Sequence, residues 1–168
     1  SWVHANSVNK APTSPTAGHS ATSEQPYILN EMRIQLSIRT KVASGLLPVE
    51  QSGGRDSLWF GYTQQSYWQL FTSEISRPFR TTDHEPEVMY IVPTPLDLPG
   101  GWRLRYSGLS LNHQSNGQTL PLSRSWNRAI LMAGMEKGER YTITARLWDR
   151  ITDGDGIDDN PGIEDFVG

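Results

Sequence analysis

The chain has no cysteine in its 168 residues, which rules out disulfides and thiolate metal sites. It also lacks a strong charge of either sign. Its 15 Lys and Arg stand against 18 Asp and Glu, a formal net charge of −3. That balance gives no reason to expect a nucleic-acid partner, which would call for a basic patch or stripe. Long apolar runs are missing as well: residues 89–92 and 129–134 are the longest candidates, and a membrane helix needs roughly 18. The mean hydropathy is negative, which ordinarily argues for a soluble protein. A membrane β-barrel, however, hides its apolar residues at every second position and keeps its average hydropathy low. Composition therefore excludes a helical membrane protein and leaves a barrel open.

What the chain does have is alternation. Over residues 32–42, Met32, Ile34, Leu36 and Ile38 share one face, and Arg33, Gln35, Ser37 and Arg39 share the other. Residues 58–70 repeat the pattern through Leu58, Phe60, Tyr62, Trp68 and Leu70. A shorter strand at 87–92 is closed by Pro93-Thr94-Pro95 and Pro99-Gly100-Gly101. The next strand, 102–115, changes apolar parity between Tyr106 and Leu109, which predicts a bulge there. Residues 127–133 and 141–148 read as a hairpin, with Tyr141, Ile143, Ala145 and Leu147 facing one way. Compact turns at 43–57, 93–101 and 134–138 alternate with longer polar connections at 7–29, 71–86, 116–125 and 151–165. Tyr67, Trp68, Trp102, Trp126 and Trp148 stand near strand ends, as in the aromatic girdles of a transmembrane barrel. The same alternation describes a soluble β-sandwich or a lipocalin-like barrel.

The segment Asn112-His113-Gln114-Ser115-Asn116-Gly117 puts a base and a hydroxyl two residues apart, on one face of an extended chain. Ser123-Arg124-Ser125-Trp126-Asn127-Arg128 follows across a hairpin loop and brings an amide. A base beside a hydroxyl, with an amide to orient the base, is the layout of an activated serine nucleophile. Leu109, Leu111, His113 and Ser115 share parity, as do Asn127, Ala129, Leu131 and Ala133. The chemistry thus falls on an apolar face and points to lipid. The structural alternative is a polar pair at a strand rim.

These blocks join Tyr62-Thr63-Gln64-Gln65-Ser66-Tyr67-Trp68-Gln69-Leu70, Ser76-Arg77-Pro78-Phe79-Arg80, Glu85-Pro86 and Asp158-Asp159-Asn160-Pro161. In order and spacing, from about Asn30 onward, they resemble the outer membrane phospholipase A family. The pair His-x-Ser-Asn-Gly and Ser-Arg-Ser-Trp-Asn-Arg is the specific part. The resemblance implies an all-β transmembrane antiparallel barrel of about twelve strands, of which this chain carries roughly the first seven. Residues 1–168 then form a single partial barrel domain truncated at both ends. It also implies calcium-dependent hydrolysis of phospholipid acyl esters (phospholipase A1/A2) in the outer membrane of a Gram-negative-type bacterium, activated by homodimerisation.

Carried over by residue, Ser115 is the nucleophile, His113 the general base, and Asn127 orients the imidazole. The Gly117 N–H is an oxyanion donor. Calcium would rest on the Ser123 hydroxyl, the Gln118 backbone carbonyl and Ser76 of the partner subunit. Gln64, on the lipid face, would bond between subunits, since an unpaired polar group is costly in hydrocarbon. Gln118 stands where the family commonly has Arg, and Gln114 where some members have an acidic residue.

Two signals stay outside this scheme. Asp153-Gly154-Asp155-Gly156-Ile157-Asp158-Asp159 resembles a calcium loop but lacks the bidentate Glu at EF-hand spacing, and reads as a solvated acidic loop. His4, His19 and His84 have no partner at metal-ligand spacing and receive no role. Two rival readings are a catalytically silent barrel acting as channel or scaffold, and a soluble calcium-binding β domain.

Overall fold

The structure, a computed structural model, describes residues 2–4, 8–13, 18, 20–47, 54–71, 79–119 and 122–151. Seven strands form one sheet in chain order, β1 (Trp2–His4), β2 (Asn30–Ser44), β3 (Ser57–Trp68), β4 (Phe79–Leu98), β5 (Trp102–Ser115), β6 (Ser125–Lys137) and β7 (Tyr141–Ile151). Every neighbouring pair is antiparallel. Among the described residues β1 and β7 are the two edges, so the sheet is open.

The two faces invert the usual sorting of residues. Leu36, Ile38, Leu109, Leu111, Leu131 and Leu147 are 54% to 69% exposed on one face. On the other, Glu87, Ser110 and Asn112 are buried together with Met89, Ile130 and Met132. Ser110 donates to Glu87 at 2.6 Å, and Arg146 pairs with the same carboxylate. A continuous apolar face of this extent marks a surface that meets something other than water. We call the polar, concave side the lumen face and the apolar side the outer face.

Strand β4 departs from the expected 87–92. It begins at Phe79 and runs for 20 residues, taking in Pro86, Pro93 and Pro95. Its first half, Thr81-Thr82-Asp83-His84-Glu85, has no apolar alternation and so reads as a loop. Pairing with β3 nevertheless holds it extended, Thr63 facing Glu85 and Gln64 facing His84. The prolines lack an N–H for the ladder, and the β4–β5 register slips between Pro93 and Leu96, where those donors would be missed. The expected bulge in β5 is present but earlier, between Leu104 and Tyr106 against β6. The turn at Pro99–Gly101 is a short 3₁₀ segment.

Asp56 fastens the β2–β3 connection. Its carboxylate accepts the N–H groups of Leu46 and Leu47 at 3.1 and 3.2 Å and the Tyr90 hydroxyl at 2.6 Å. The Tyr90 bond above all, with the two N–H bonds helping against the cost of burial, holds this carboxyl below the usual aspartate range. A lowered folded-state pKa stabilises above the unfolded value of about 3.9, and the contribution is lost as pH falls through the folded value. The full-length protein should therefore resist denaturant better than its Asp56→Asn variant at neutral pH. The two should converge as pH falls below the folded-state value, read as denaturation midpoints across pH.

Candidate active site

Strands β5 and β6 carry the site, and their register decides its geometry. Asn112 pairs with Arg128, His113 with Asn127, Gln114 with Trp126 and Ser115 with Ser125. Because strand side chains alternate, His113, Ser115 and Asn127 project from the outer face while Asn112, Gln114 and Arg128 project into the lumen. His113 Nδ1 lies 2.8 Å from Asn127 Oδ1. An amide oxygen can only accept, so Nδ1 carries the hydrogen and Nε2 keeps its lone pair for a proton. That is the tautomer a serine base requires.

Ser115 ends β5, and the chain turns away at once. Gly117 takes φ of +60°, a conformation open to glycine at no steric cost, and its N–H donates to Ser115 Oγ at 3.3 Å. The backbone N–H expected to hold an oxyanion thus lies beside the Ser115 hydroxyl.

Two residues that received no role from the sequence, Asn116 and His84, complete this corner. Asn116 closes the 116–124 loop: its Oδ1 accepts the N–H groups of Gln118 and Arg124 at 3.3 and 2.9 Å. Its amide donates to the Leu122 carbonyl at 2.7 Å, and its backbone N–H to the Arg124 carbonyl at 3.0 Å. The Asn-Gly dipeptide was a legible turn signal. His84 had none, lying in a stretch without alternation. It faces Ser115 directly across β4 and β5, and a Cβ on Gly117 would come within 3.3 Å of its ring. Its Nδ1 bonds the Tyr62 hydroxyl at 2.6 Å.

Of the oxygen donors expected for calcium, Gln118 and Ser123 lie on this same loop. The Gln118 side chain donates through Nε2 to the Arg80 carbonyl at 2.8 Å, tying the loop to β4. Ser76 lies outside the described residues, as do Arg77 and the 153–159 loop. Among the described residues no three His, Asp or Glu side chains gather as a metal cluster. Neutral hydroxyl and carbonyl oxygens still fit a hard cation such as calcium.

Gln64 is on the outer face, between Leu36 of β2 and His84 of β4. It belongs to a polar strip in which Tyr62 donates to Gln64 at 3.5 Å and Gln64 to Ser66 at 3.4 Å. The Ser66 and Thr82 hydroxyls bond each other at 3.1 Å.

Comparison with known proteins follows the same lines. A family model described as Phospholipase A1 matches residues 1–168. The chain is 45% identical over 172 residues to a "Putative phospholipase A1" of Neisseria meningitidis serogroup B, covering 99% of this chain and 43% of that protein. It is 36% identical over 139 residues to the phospholipase A1 of Escherichia coli K12, covering 83% of this chain and 45% of that one. The chain therefore spans a little under half the length of these relatives. Among solved structures it resembles outer membrane phospholipase A from Escherichia coli, with a TM-score of 0.66 and 36% identity over 80% of this chain and 52% of that one. A Salmonella typhi outer membrane phospholipase dimer with bound calcium gives a TM-score of 0.65 at 36% identity, over 80% of this chain and 49% of that one. The paired motif blocks, the antiparallel sheet and the match along the whole chain agree, and the chain belongs to the phospholipase A1 family.

Proposed function

We propose that the full-length protein is an outer-membrane phospholipase A with Ser115 as nucleophile, His113 as base and Asn127 as the group that orients it. The observation that carries this reading is the 2.8 Å His113–Asn127 bond on the outer face, bordered by Leu109, Leu111 and Leu131. Lipid lying against that face would bring its ester to the hydroxyl without leaving the bilayer. Ser115 Oγ attacks the acyl carbonyl while His113 Nε2 takes its proton. The tetrahedral oxyanion accepts the Gly117 N–H. Collapse breaks the ester bond, and His113 returns the proton to the departing lysophospholipid alcohol. Water, deprotonated by the same imidazole, then cleaves the acyl-serine ester and releases the fatty acid. A related Escherichia coli structure is of an asparagine-to-alanine active-site mutant, which supports an asparagine in the site.

Gln118 and Ser123, with Ser76 of the partner subunit, would hold calcium. When bound, calcium supplies positive charge for the developing oxyanion. Asn116 keeps the two ligands of this chain on one closed loop. Gln64 would bond across a homodimer on the outer face, and the Salmonella typhi relative, a dimer with calcium, supports both expectations.

The test is phospholipid hydrolysis and cross-linking of the full-length protein refolded in detergent, with calcium and with chelator. Turnover and a cross-linked dimer are expected in calcium, and neither in chelator. A folded barrel that hydrolyses no phospholipid in calcium sinks the reading in favour of a silent channel or scaffold.

A further inference from the structure

On the outer face His113 and Asn127 stand between the apolar Leu111–Ala129 pair and the Ser115–Ser125 pair. The lumen side of the same two strands is different. Arg128, one residue past Asn127, donates from Nε and Nη2 to Asn112 Oδ1 at 3.2 and 2.7 Å. Nη2 also reaches Gln114 Oε1 at 3.2 Å. Asn112 and Gln114 are the two neighbours of His113 in the chain. The guanidinium further lies 3.6 Å from Glu85 and over the rings of Trp126 and Trp148, at 4.5 and 6.0 Å. Trp126 in turn donates to Gln114 at 3.2 Å. One planar group thus touches β4, β5, β6 and β7 directly behind the site.

We propose that Arg128 is a positioning residue: from the lumen it locks the β5–β6 register that aligns His113 with Asn127 on the opposite face. The proposal rests on the catalytic reading of those two residues. A strand passes alignment through the sheet because adjacent residues share a backbone and point to opposite sides. Both acceptors held by Arg128 flank His113, so a sliding or twisting of β5 against β6 breaks these bonds before it parts imidazole from amide. A simple charge-balancing role for Glu85 would be served equally by lysine. The register lock would not, since an ammonium cannot bridge two acceptors in the plane of a stacked fork.

The experiment uses the full-length protein in detergent with Arg128→Lys and Asn127→Ala, singly and together, each checked for folding by heat-modifiable migration. Arg128→Lys is expected to lower kcat by about 10- to 100-fold with KM nearly constant, as misplacement of a base does. In the Asn127→Ala background the same change should cost less than about twofold, because the alignment it protects is already gone. Equal losses in the two backgrounds overturn the proposal, as does full activity in Arg128→Lys. A second readout needs no turnover: the downfield Nδ1–H proton resonance of His113 should be present in the parent protein and lost or broadened in Arg128→Lys. Its retention in the variant, or its absence from the parent, also overturns the lock. A parent that shows the resonance but hydrolyses nothing would instead refute the catalytic reading and leave the lock standing. If Arg128→Lys does not fold, Asn112→Ala and Gln114→Ala remove its acceptors and carry the same cycle. Failure of all three to fold would show that the cluster holds the sheet rather than the site.

Discussion

Replacing Ser115 by alanine in the full-length protein should lower phospholipid turnover by at least about 10⁴-fold, to the level left by binding and oxyanion stabilisation alone. Ser125, on β6, faces Ser115 but lies diagonal to His113 rather than two residues along its strand. His113→Ala should cost about as much, and the double variant no more than either, because nucleophile and base act as one unit. Asn127→Ala should be milder, about 10- to 100-fold. Its amide adds no charge to the imidazolium and supplies only the 2.8 Å bond that fixes tautomer and orientation. Rates on phospholipid micelles, with folding verified for each variant, give the order. A Ser115→Ala protein that keeps more than a tenth of parental turnover would remove Ser115 as the nucleophile.

Leu131→Arg should destabilise the folded, membrane-inserted protein by about 2–4 kcal/mol, the cost of a cation near the bilayer midplane on the lipid face of a barrel. Leu131 stands midway along the 13-residue strand β6. It is 58% exposed, with Leu109 on one side and Leu147 on the other. The nearest acid on that face, Asp149, stands opposite Ala129, one step nearer the strand end that carries the site. On β5, Leu109→Arg should behave alike. Arg146 shows the contrast: one face away, its charge is met by Glu87. Equilibrium unfolding from phospholipid vesicles measures the difference. A Leu131→Arg protein as stable as the parent would mean that the outer face does not meet hydrocarbon, and would revive the soluble alternative.

Most of the candidate site was legible because its parts are local. His113 and Ser115 are two residues apart, so any extended conformation puts them on one face. The specificity of the surrounding motif blocks then supplied Asn127. The alternation of residues 32–39 and 141–147 likewise fixes which side chains share a face, since period two follows from strand geometry alone. Strand β4 was legible only in part, because its first half turns polar residues to both faces. Near the rim of a barrel neither face needs to be apolar, and hydrophobic patterning has nothing to report.

What alternation cannot supply is register, meaning which residue stands opposite which. His84 lies 31 positions before Ser115 in the chain, and only the β4–β5 pairing brings the two face to face. The lumen contacts of Arg128 with Glu85, Asn112, Gln114 and Trp148 have the same origin, each arising between strands rather than along one. The amino-acid sequence by itself determined an all-β chain with one apolar face and a Ser-His-Asn set upon it. Only the tertiary structure decided which residues stand behind that set, because cross-strand contacts depend on a register that each strand's own pattern leaves open in steps of two residues.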